Sequence, residues 1–351
     1  LERLANSEQS LKILKELTKE LDFMILPPSV FPPAASQGAL AIECLSQRDD
    51  AGELLNKLKA VHDDDTFDEI KREREAFNSY GGGCHLAVGV HVKKWNDLFI
   101  HTHKGTVDEK LIHIKQIEKD ENSNIHETEE LNLLFQKYSF ADVFIGTTKE
   151  QKTVPYLTDK IISKSSLTPS TETMTNSCNL YVTSKHCEAG LKTLINNSRQ
   201  HVRGIFASGA STMQHLLRQG ISVHFCADSH GDQEILRFLK SKVVQLMLGI
   251  DQQTALSILT NDLSTSLLGN TIACYTRSID QKLAVGLKEE IESKNLFYWS
   301  SFYQYQQYLN LFPTIAKKNH LCGFGKTFKE FSKREIKVFP IELTQFINEL
   351  K

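Results

Sequence analysis

The 351-residue sequence has no apolar run near the ~20 residues that a membrane helix needs. It shows no signal-peptide pattern. It has no excess of charge of either sign. With a formal net charge of −2, no basic field argues for nucleic acid or a membrane as partner. It has no Cys-x-x-Cys. The cysteines (Cys44, Cys84, Cys178, Cys187, Cys226, Cys274 and Cys322) are scattered and odd in number, which argues against a disulfide framework or a zinc site and for a reducing cytoplasmic setting. It has no Gly-x-x-x-x-Gly-Lys-Ser/Thr, so a nucleotide P-loop is not supported. Nor does it open on methionine: Leu1-Glu2-Arg3-Leu4 starts inside a helical pattern. The chain therefore reads as the C-terminal piece of something longer, or as a broken gene product.

What is present is ordinary for a globular protein, with 40% hydrophobic and 24% charged residues. The length is large for one core, so two or three domains are expected. Helical spacing covers Ser7 to Leu21, Asp49 to Val61, Phe67 to Tyr80 and Glu127 to Tyr138, with Asp64 or Asp65 as a cap of the third. Ala39 to Leu45 reads as a strand. Leu86 to Val92, Leu98 to His103 and Leu111 to Ile117 read as an antiparallel meander. From Phe140 onward strands and helices alternate, which implies parallel sheets. Strands are expected at 142–147, 179–183, 203–207, 221–226, 243–248, 271–276, 294–299 and 335–339. Residues 180–226 and 294–339 share one order of elements, so this region divides into two small lobes. Residues 152–178 read as a loop or hinge.

Tyr80-Gly81-Gly82-Gly83-Cys84-His85 joins a triple glycine, which permits positive φ, to a cysteine at the mouth of a strand. Taken alone, this is a turn whose cysteine merely packs. Two further stretches accompany it: Phe31-Pro32-Pro33-Ala34-Ala35-Ser36-Gln37-Gly38-Ala39-Leu40-Ala41-Ile42-Glu43-Cys44, and the helical Lys71-Arg72-Glu73-Arg74-Glu75-Ala76-Phe77. In this order and spacing they resemble hydroxymethylbilane synthase, also called porphobilinogen deaminase. The resemblance implies that Cys84 anchors a dipyrromethane cofactor through a thioether. It further implies that residues 50–139 are the α+β C-terminal domain of that family, an antiparallel sheet with helices, and that 1–49 are remnants of its second and first domains. The family's catalytic aspartate and most of its carboxylate-binding arginines lie in domains absent here. This part is therefore expected to be inactive alone, and to carry the cofactor only if the missing deaminase part is supplied as a partner.

A second set of motifs sits where strands meet helices. Thr183-Ser184 follows Tyr181-Val182, and Ser300-Ser301 follows Tyr298-Trp299. Phe206-Ala207-Ser208-Gly209-Ala210-Ser211-Thr212 and Cys322-Gly323-Phe324-Gly325-Lys326-Thr327 each follow a strand and open a helix. Such hydroxyls cap helices, and free N–H groups there also bind carboxylates. With Tyr275, in Ile272-Ala273-Cys274-Tyr275-Thr276, these four turns resemble uroporphyrinogen-III synthase over 179–351. Two departures stand out: a poorly defined opening strand and helix, and no arginine after Gly249. The resemblance implies an α/β, two-lobed, parallel-sheet domain over 140–351 that closes hydroxymethylbilane to uroporphyrinogen III with inversion of ring D and without cofactor or metal. It implies Tyr275 as weak acid for departure of the terminal hydroxyl, and Thr183, Ser184, Gly209, Thr212, Ser300, Ser301, Gly325 and Thr327 as substrate-binding. Such a site needs neutral donors and few strong acids or bases. The alternative is a hydroxymethylbilane synthase fragment with a non-catalytic α/β ligand-binding or structural C-terminal region. His101 and His103 alternate on one strand without a third ligand, so a metal is not expected. His224, Asp228 and His230 lie near a strand end, at a cleft edge or in a surface loop.

Overall fold

The computed structural model describes residues 7–83, 85–95, 98–119, 125–147, 156–169, 176–228, 232–251, 254–262 and 269–351. Two compact units emerge. One is Pro28–Asn132, and the other joins Leu1–Pro27 to Leu133–Lys351.

In chain order, α1 (Glu8–Thr18) comes first, capped by Ser7, whose hydroxyl accepts from the Ser10 N–H. α2 (Ala51–Leu58) and α3 (Asp64–Ser79) belong to the smaller unit. The α3 cap is Asp63, whose carboxylate accepts from the Thr66 N–H at 2.7 Å. This corrects the expected Asp64 or Asp65, which instead add favourable negative charge to the first turn. After α3 come β1 (Ala87–Trp95), β2 (Leu98–Val107) and β3 (Lys110–Lys119), the expected antiparallel meander. The β2–β3 turn is Asp108-Glu109, with φ of 45° and 64°. Positive φ at both positions suits the twist of a two-residue hairpin. Val88, Val90, Val92 and Phe99 form this unit's core with Ala76 and Phe77 of α3. Ala39 to Leu45 is not a strand. Leu40 and Ile42 are 78% and 64% exposed, and the apolar alternation finds no strand to pair with among the described residues.

α4 (Ile125–Lys137) leads into two lobes. The elements that follow are β4 (Val143–Ile145), β5 (Leu157–Thr158), β6 (Ile162–Ser166), β7 (Cys178–Val182), α5 (Glu188–Ser198), β8 (Val202–Ala207), α6 (Ala210–Arg218), β9 (Phe225–Cys226), α7 (Asp232–Leu239), α8 (Lys242–Leu248), β10 (Ala255–Asn261), β11 (Asn270–Ile279), α9 (Gln281–Ser293), β12 (Leu296–Trp299), α10 (Phe302–Leu311), β13 (Asn319–Cys322), α11 (Lys326–Ser332), β14 (Phe339–Pro340) and α12 (Leu343–Glu349). One sheet has the order β6-β11-β10-β7-β8-β9 and the other β14-β13-β12-β4-β5. All pairs are parallel except β6 with β11. An antiparallel α+β unit followed by a two-lobed, parallel-rich α/β region is thus the architecture, as expected.

Three strand expectations change. Residues 243–248 are helix, because Ser241 caps the segment through the Val244 N–H and Gly249 closes it at φ 60°. The expected strands at 221–226 and 335–339 shrink to Phe225–Cys226 and Phe339–Pro340. Within 152–178, residues 157–166 hold β5 and β6, and with them the passage from one sheet to the other. The chain crosses there through Asp159 and crosses back after β11. The two crossings are tied where the Asp280 N–H donates to the Ile161 carbonyl at 3.0 Å. Residues 8–25 pack on the six-stranded lobe: α1 lies against α8, and the Ile25 N–H donates to the His224 carbonyl at 2.9 Å.

Candidate functional site

In the smaller unit Gly81, Gly82 and Gly83 have φ of 103°, 61° and 95°, a run that side chains would strain. Cys84 lies outside the described residues. The motif residues around it bind one another. Glu73, buried on α3, accepts from the N–H groups of Ser36 (2.8 Å) and Val92 (3.0 Å). Burial opposes its charge, but hydrogen bonds from His91 and these N–H groups outweigh it and hold the carboxyl below its usual value. Arg74 Nε donates to Ser36 Oγ at 3.0 Å. Arg72 pairs with Glu118 at 2.9 Å and lies 3.5 Å over the Phe99 ring. The Pro-Ala-Ala-Ser segment and the Glu/Arg helix thus fasten each other.

His101 and His103 share a buried face of β2 with ring centroids 5.5 Å apart. His101 Nε2 meets Glu118 at 2.8 Å, and His103 Nδ1 meets the Tyr80 hydroxyl at 2.8 Å. Burial, then the neighbouring His101, pushes His103 down to about 4, so it is neutral at pH 7. Among the described residues no three His, Cys, Asp or Glu side chains are grouped to hold a metal ion.

The larger unit contains a cleft of ≈ 620 Å³ between its two lobes, within the range of ligand sites. Thr183, Ser184, Thr212, Tyr275, Ser300, Ser301 and Thr327 all line it. Gly209 and Gly325 stand at the N-caps of α6 and α11, outside the lining, while Ser211, Thr212, Lys326 and Thr327 in the helix starts that follow line the cleft. Gly209 is extended, at φ −179°, and a Cβ there would meet nothing. His224 and Asp228 do not line the cleft; the Ile205 N–H donates to His224 Nδ1 at 3.1 Å. His230 lies outside the described residues.

The capping role of the hydroxyls is visible. Ser184 Oγ accepts from the His186 N–H at 3.4 Å, and Ser301 Oγ from the Gln304 N–H at 3.3 Å. Each keeps its own proton for a ligand. Thr183 differs: its hydroxyl donates to the Leu259 carbonyl at 2.8 Å, leaving only lone pairs. Ser300 donates to Gln304 Oε1 at 3.2 Å. Gln304 continues to Asp159 Oδ2, and Asp159 Oδ1 accepts from Tyr308 at 2.6 Å and from the Ile161 and Ile162 N–H groups at 3.1 Å each. This chain of bonds runs from the Ser300 turn to the crossing between sheets. Gly146 makes room for it, since a Cβ there would fall 1.9 Å from Gln304 Oε1.

Neutral donors alone do not describe the cleft. Lys164, Lys185, Arg277, Lys326 and Arg334 line it, against Asp159 and Glu330. The latter is 2.5 Å from Arg334. Burial, then Lys164, Lys185 and Arg277, pushes His186 down to about 4. It therefore stands neutral, with Nε2 3.3 Å from Lys164 Nζ. Arg277 Nη2 donates to Tyr275 Oη at 3.0 Å, and the guanidinium lies 4.2 Å over the Tyr303 ring. Sequence reasoning missed these cations. Signals existed: Lys185 and His186 follow Ser184 directly, Lys326 sits inside the glycine turn, and Arg277 lies two residues from Tyr275, on the same strand face.

No family model matches the chain. Its N-terminal part is similar to curated porphobilinogen deaminases. A probable porphobilinogen deaminase of Hyperthermus butylicus is 36% identical over 90 residues, 25% of this chain and 28% of that protein. That of Exiguobacterium sp. is 43% identical over 72 residues, 20% and 23% of the two chains. That of Nostoc sp. is 38% identical over 85 residues, 24% and 25%. The chain thus spans 23% to 28% of the length of these relatives. A crystal structure of uroporphyrinogen-III synthetase from Helicobacter pylori aligns with a TM-score of 0.41 at 13% identity, over 60% of this chain and 99% of that one.

Proposed function

We propose that residues 140–351 close hydroxymethylbilane to uroporphyrinogen III, and that the preceding residues are part of a hydroxymethylbilane synthase, with 1–49 and 50–139 as its successive segments. The reading places the chain in porphyrin biosynthesis. One observation carries it: the hydroxyl-bearing turns of both lobes, Tyr275 and an excess of basic side chains share one cleft. A linear tetrapyrrole bearing acetates and propionates is a polyanion that must be held folded before it closes. Helix starts, hydroxyls and cations suit its carboxylates, and the two walls supply orientation.

In this reading Tyr275 works as the acid. Arg277 donates to its oxygen and cannot accept, so the phenol proton remains available for the substrate. That proton joins the departing hydroxyl as the C–O bond breaks. Water leaves, and the pyrrole nitrogen shares the resulting cation. After closure and rearrangement through the spiro intermediate, the proton lost as the ring regains aromaticity restores the phenol. The cleft walls exclude the competing direct closure.

The deaminase-like part is proposed to be inactive alone and to carry dipyrromethane on Cys84 only when the rest of a deaminase is supplied. The test of the cyclase is product analysis. Given hydroxymethylbilane, the chain should yield the type III isomer, separated chromatographically after oxidation. Type I alone would overturn the reading, and tight binding without conversion would favour a non-catalytic ligand-binding region.

A further inference from the structure

Residues Arg277 and Lys164 sit directly opposite each other in the antiparallel β11–β6 pair, so their side chains share a face, and both line the cleft. Like charges in directly opposed strand positions repel. The cost shows on Lys164: surrounding protein, then Arg277 and Lys185, lowers its ammonium below the usual lysine value, with Asp159 opposing. Among the described residues, the hydrogen bonds of this pair go to neutral groups: Lys164 to His186 Nε2 and Arg277 to Tyr275 Oη. Arg277 Nε is buried and has no partner. The guanidinium is nevertheless held in place. Tyr275 receives one of its N–H groups, and the Tyr303 ring, from α10 of the other lobe, covers its plane.

An oriented fork with an idle donor, beside a second cation it repels, is the arrangement that a carboxylate relieves. We infer that Arg277 and Lys164 together anchor one carboxylate of the ligand next to the Tyr275 hydroxyl, so that Arg277 positions both the acid and the group it acts on. The inference rests on the proposed function and deepens it. The pair would select a substrate whose reacting carbinol lies close to an acidic side chain. Tyr303 makes that selection depend on both lobes.

The probe is uroporphyrin III, a stable polycarboxylate, titrated against the intact chain by its fluorescence. Arg277→Gln should weaken binding by about 10- to 100-fold, the range for a lost charge-assisted hydrogen bond. Arg277→Lys, which keeps the charge without the fork, should recover part of the loss. The second readout is calorimetry of the unmutated chain in two buffers of different ionisation enthalpy at alkaline pH. A carboxylate set between the two cations draws a proton onto Lys164, so binding without proton uptake would overturn the anchor. If Arg277→Gln keeps its circular dichroism and binds as the unmutated chain does, the anchor is wrong and the cleft reading survives. If the unmutated chain neither binds uroporphyrin nor yields the type III isomer, the proposed function falls, and the anchor with it; if it yields type III without binding uroporphyrin, the anchor alone is wrong.

Discussion

The two lobes repeat one winding order with different contents. In one, β7, β8 and β9 run outward beside β10; in the other, β12, β13 and β14 run outward beside β4. In each, the first turn carries paired hydroxyl residues and the second a glycine before the helix. The six-stranded lobe packs one face of its sheet with aliphatic side chains and the thiols of Cys178, Cys187, Cys226 and Cys274. The five-stranded lobe packs with rings: Trp299 stacks on Phe297 at 15° and meets Tyr305 and Tyr308 edge-on. The cleft residues divide likewise. Lys164, Lys185, Arg277 and Tyr275 come from the six-stranded lobe. The five-stranded lobe brings Ser300, Gln304, Lys326 and an arginine already paired with Glu330. One winding thus supports two kinds of wall, one with most of the cations and Tyr275, the other with a ring-packed, hydroxyl-lined face and a single further lysine.

The sharpest way to break this division is Tyr275→Phe. Removing a general acid while keeping its ring should slow turnover by about 10²- to 10⁴-fold. The melting temperature should barely change, because the ring stays buried, and uroporphyrin binding should weaken by less than about tenfold, because Arg277 loses one acceptor but keeps the Tyr303 ring over its plane. Turnover equal to the unmutated chain would leave the function standing and remove Tyr275 from it. The next effect is on stability. Trp299→Ala should cost about 3–5 kcal/mol through lost ring contacts and a cavity, read by urea unfolding followed by circular dichroism. Leu180→Ala, at the matching first strand of the six-stranded lobe, should cost about 2–5 kcal/mol. If Trp299→Ala proves nearly neutral, the ring cluster does not hold that lobe.

Acid should act on both lobes, since His186 in one and His320 in the other are each pushed down to about 4. His320 is buried, accepts the Trp299 indole N–H at 3.1 Å, and is pushed down to about 4 by burial. Between its unfolded value of 6.5 and about 4, only the unfolded chain takes the proton. Stability is therefore full above pH 6.5 and falls as the pH drops toward 4, by about 3 kcal/mol for this residue. His320→Phe should flatten that fall when unfolding is measured across this pH interval. An unchanged pH slope would show that His320 takes its proton in the folded protein.

Much of this arrangement was legible in the sequence, for identifiable reasons. The meander and the lobe repeat announce themselves through alternation and turn residues. α8 does not, because Val243-Val244-Gln245-Leu246-Met247-Leu248 is a short apolar run that fits a strand or a helix equally. Ser241 and Gly249, its cap and its left-handed stop, were the signals that decide it. Ala39 to Leu45 has the alternation of a strand and still pairs with no strand among the described residues, since pairing is a property of a sheet and not of a segment. The hydroxyl turns were found by their place between strand and helix. The cations were not: Lys164 comes from a distant element that no spacing connects to the motifs, while Arg277 and Lys326 stand beside or inside motifs that were read for their hydroxyls and glycines.

The smallest expected effect bears on how the two walls share the ligand. Thr212, in the six-stranded lobe, lines the cleft, and Ser300, in the other, lines it while its hydroxyl donates to Gln304. Thr212→Ala and Ser300→Ala should each weaken uroporphyrin binding by about 0.5–1.5 kcal/mol, one neutral hydrogen bond apiece. Ser300→Ala should fall at the lower end, because its proton is already engaged and only a lone pair is lost to the ligand. The double variant distinguishes independent walls from a closing pair. If the lobes bind separately, the two losses should add to within about 0.5 kcal/mol. If one wall grips only after the other has closed, the double variant should lose less than the sum, because the first substitution already prevents closure. Additive losses would therefore count against a cleft that closes on its ligand, while leaving each hydroxyl contact intact.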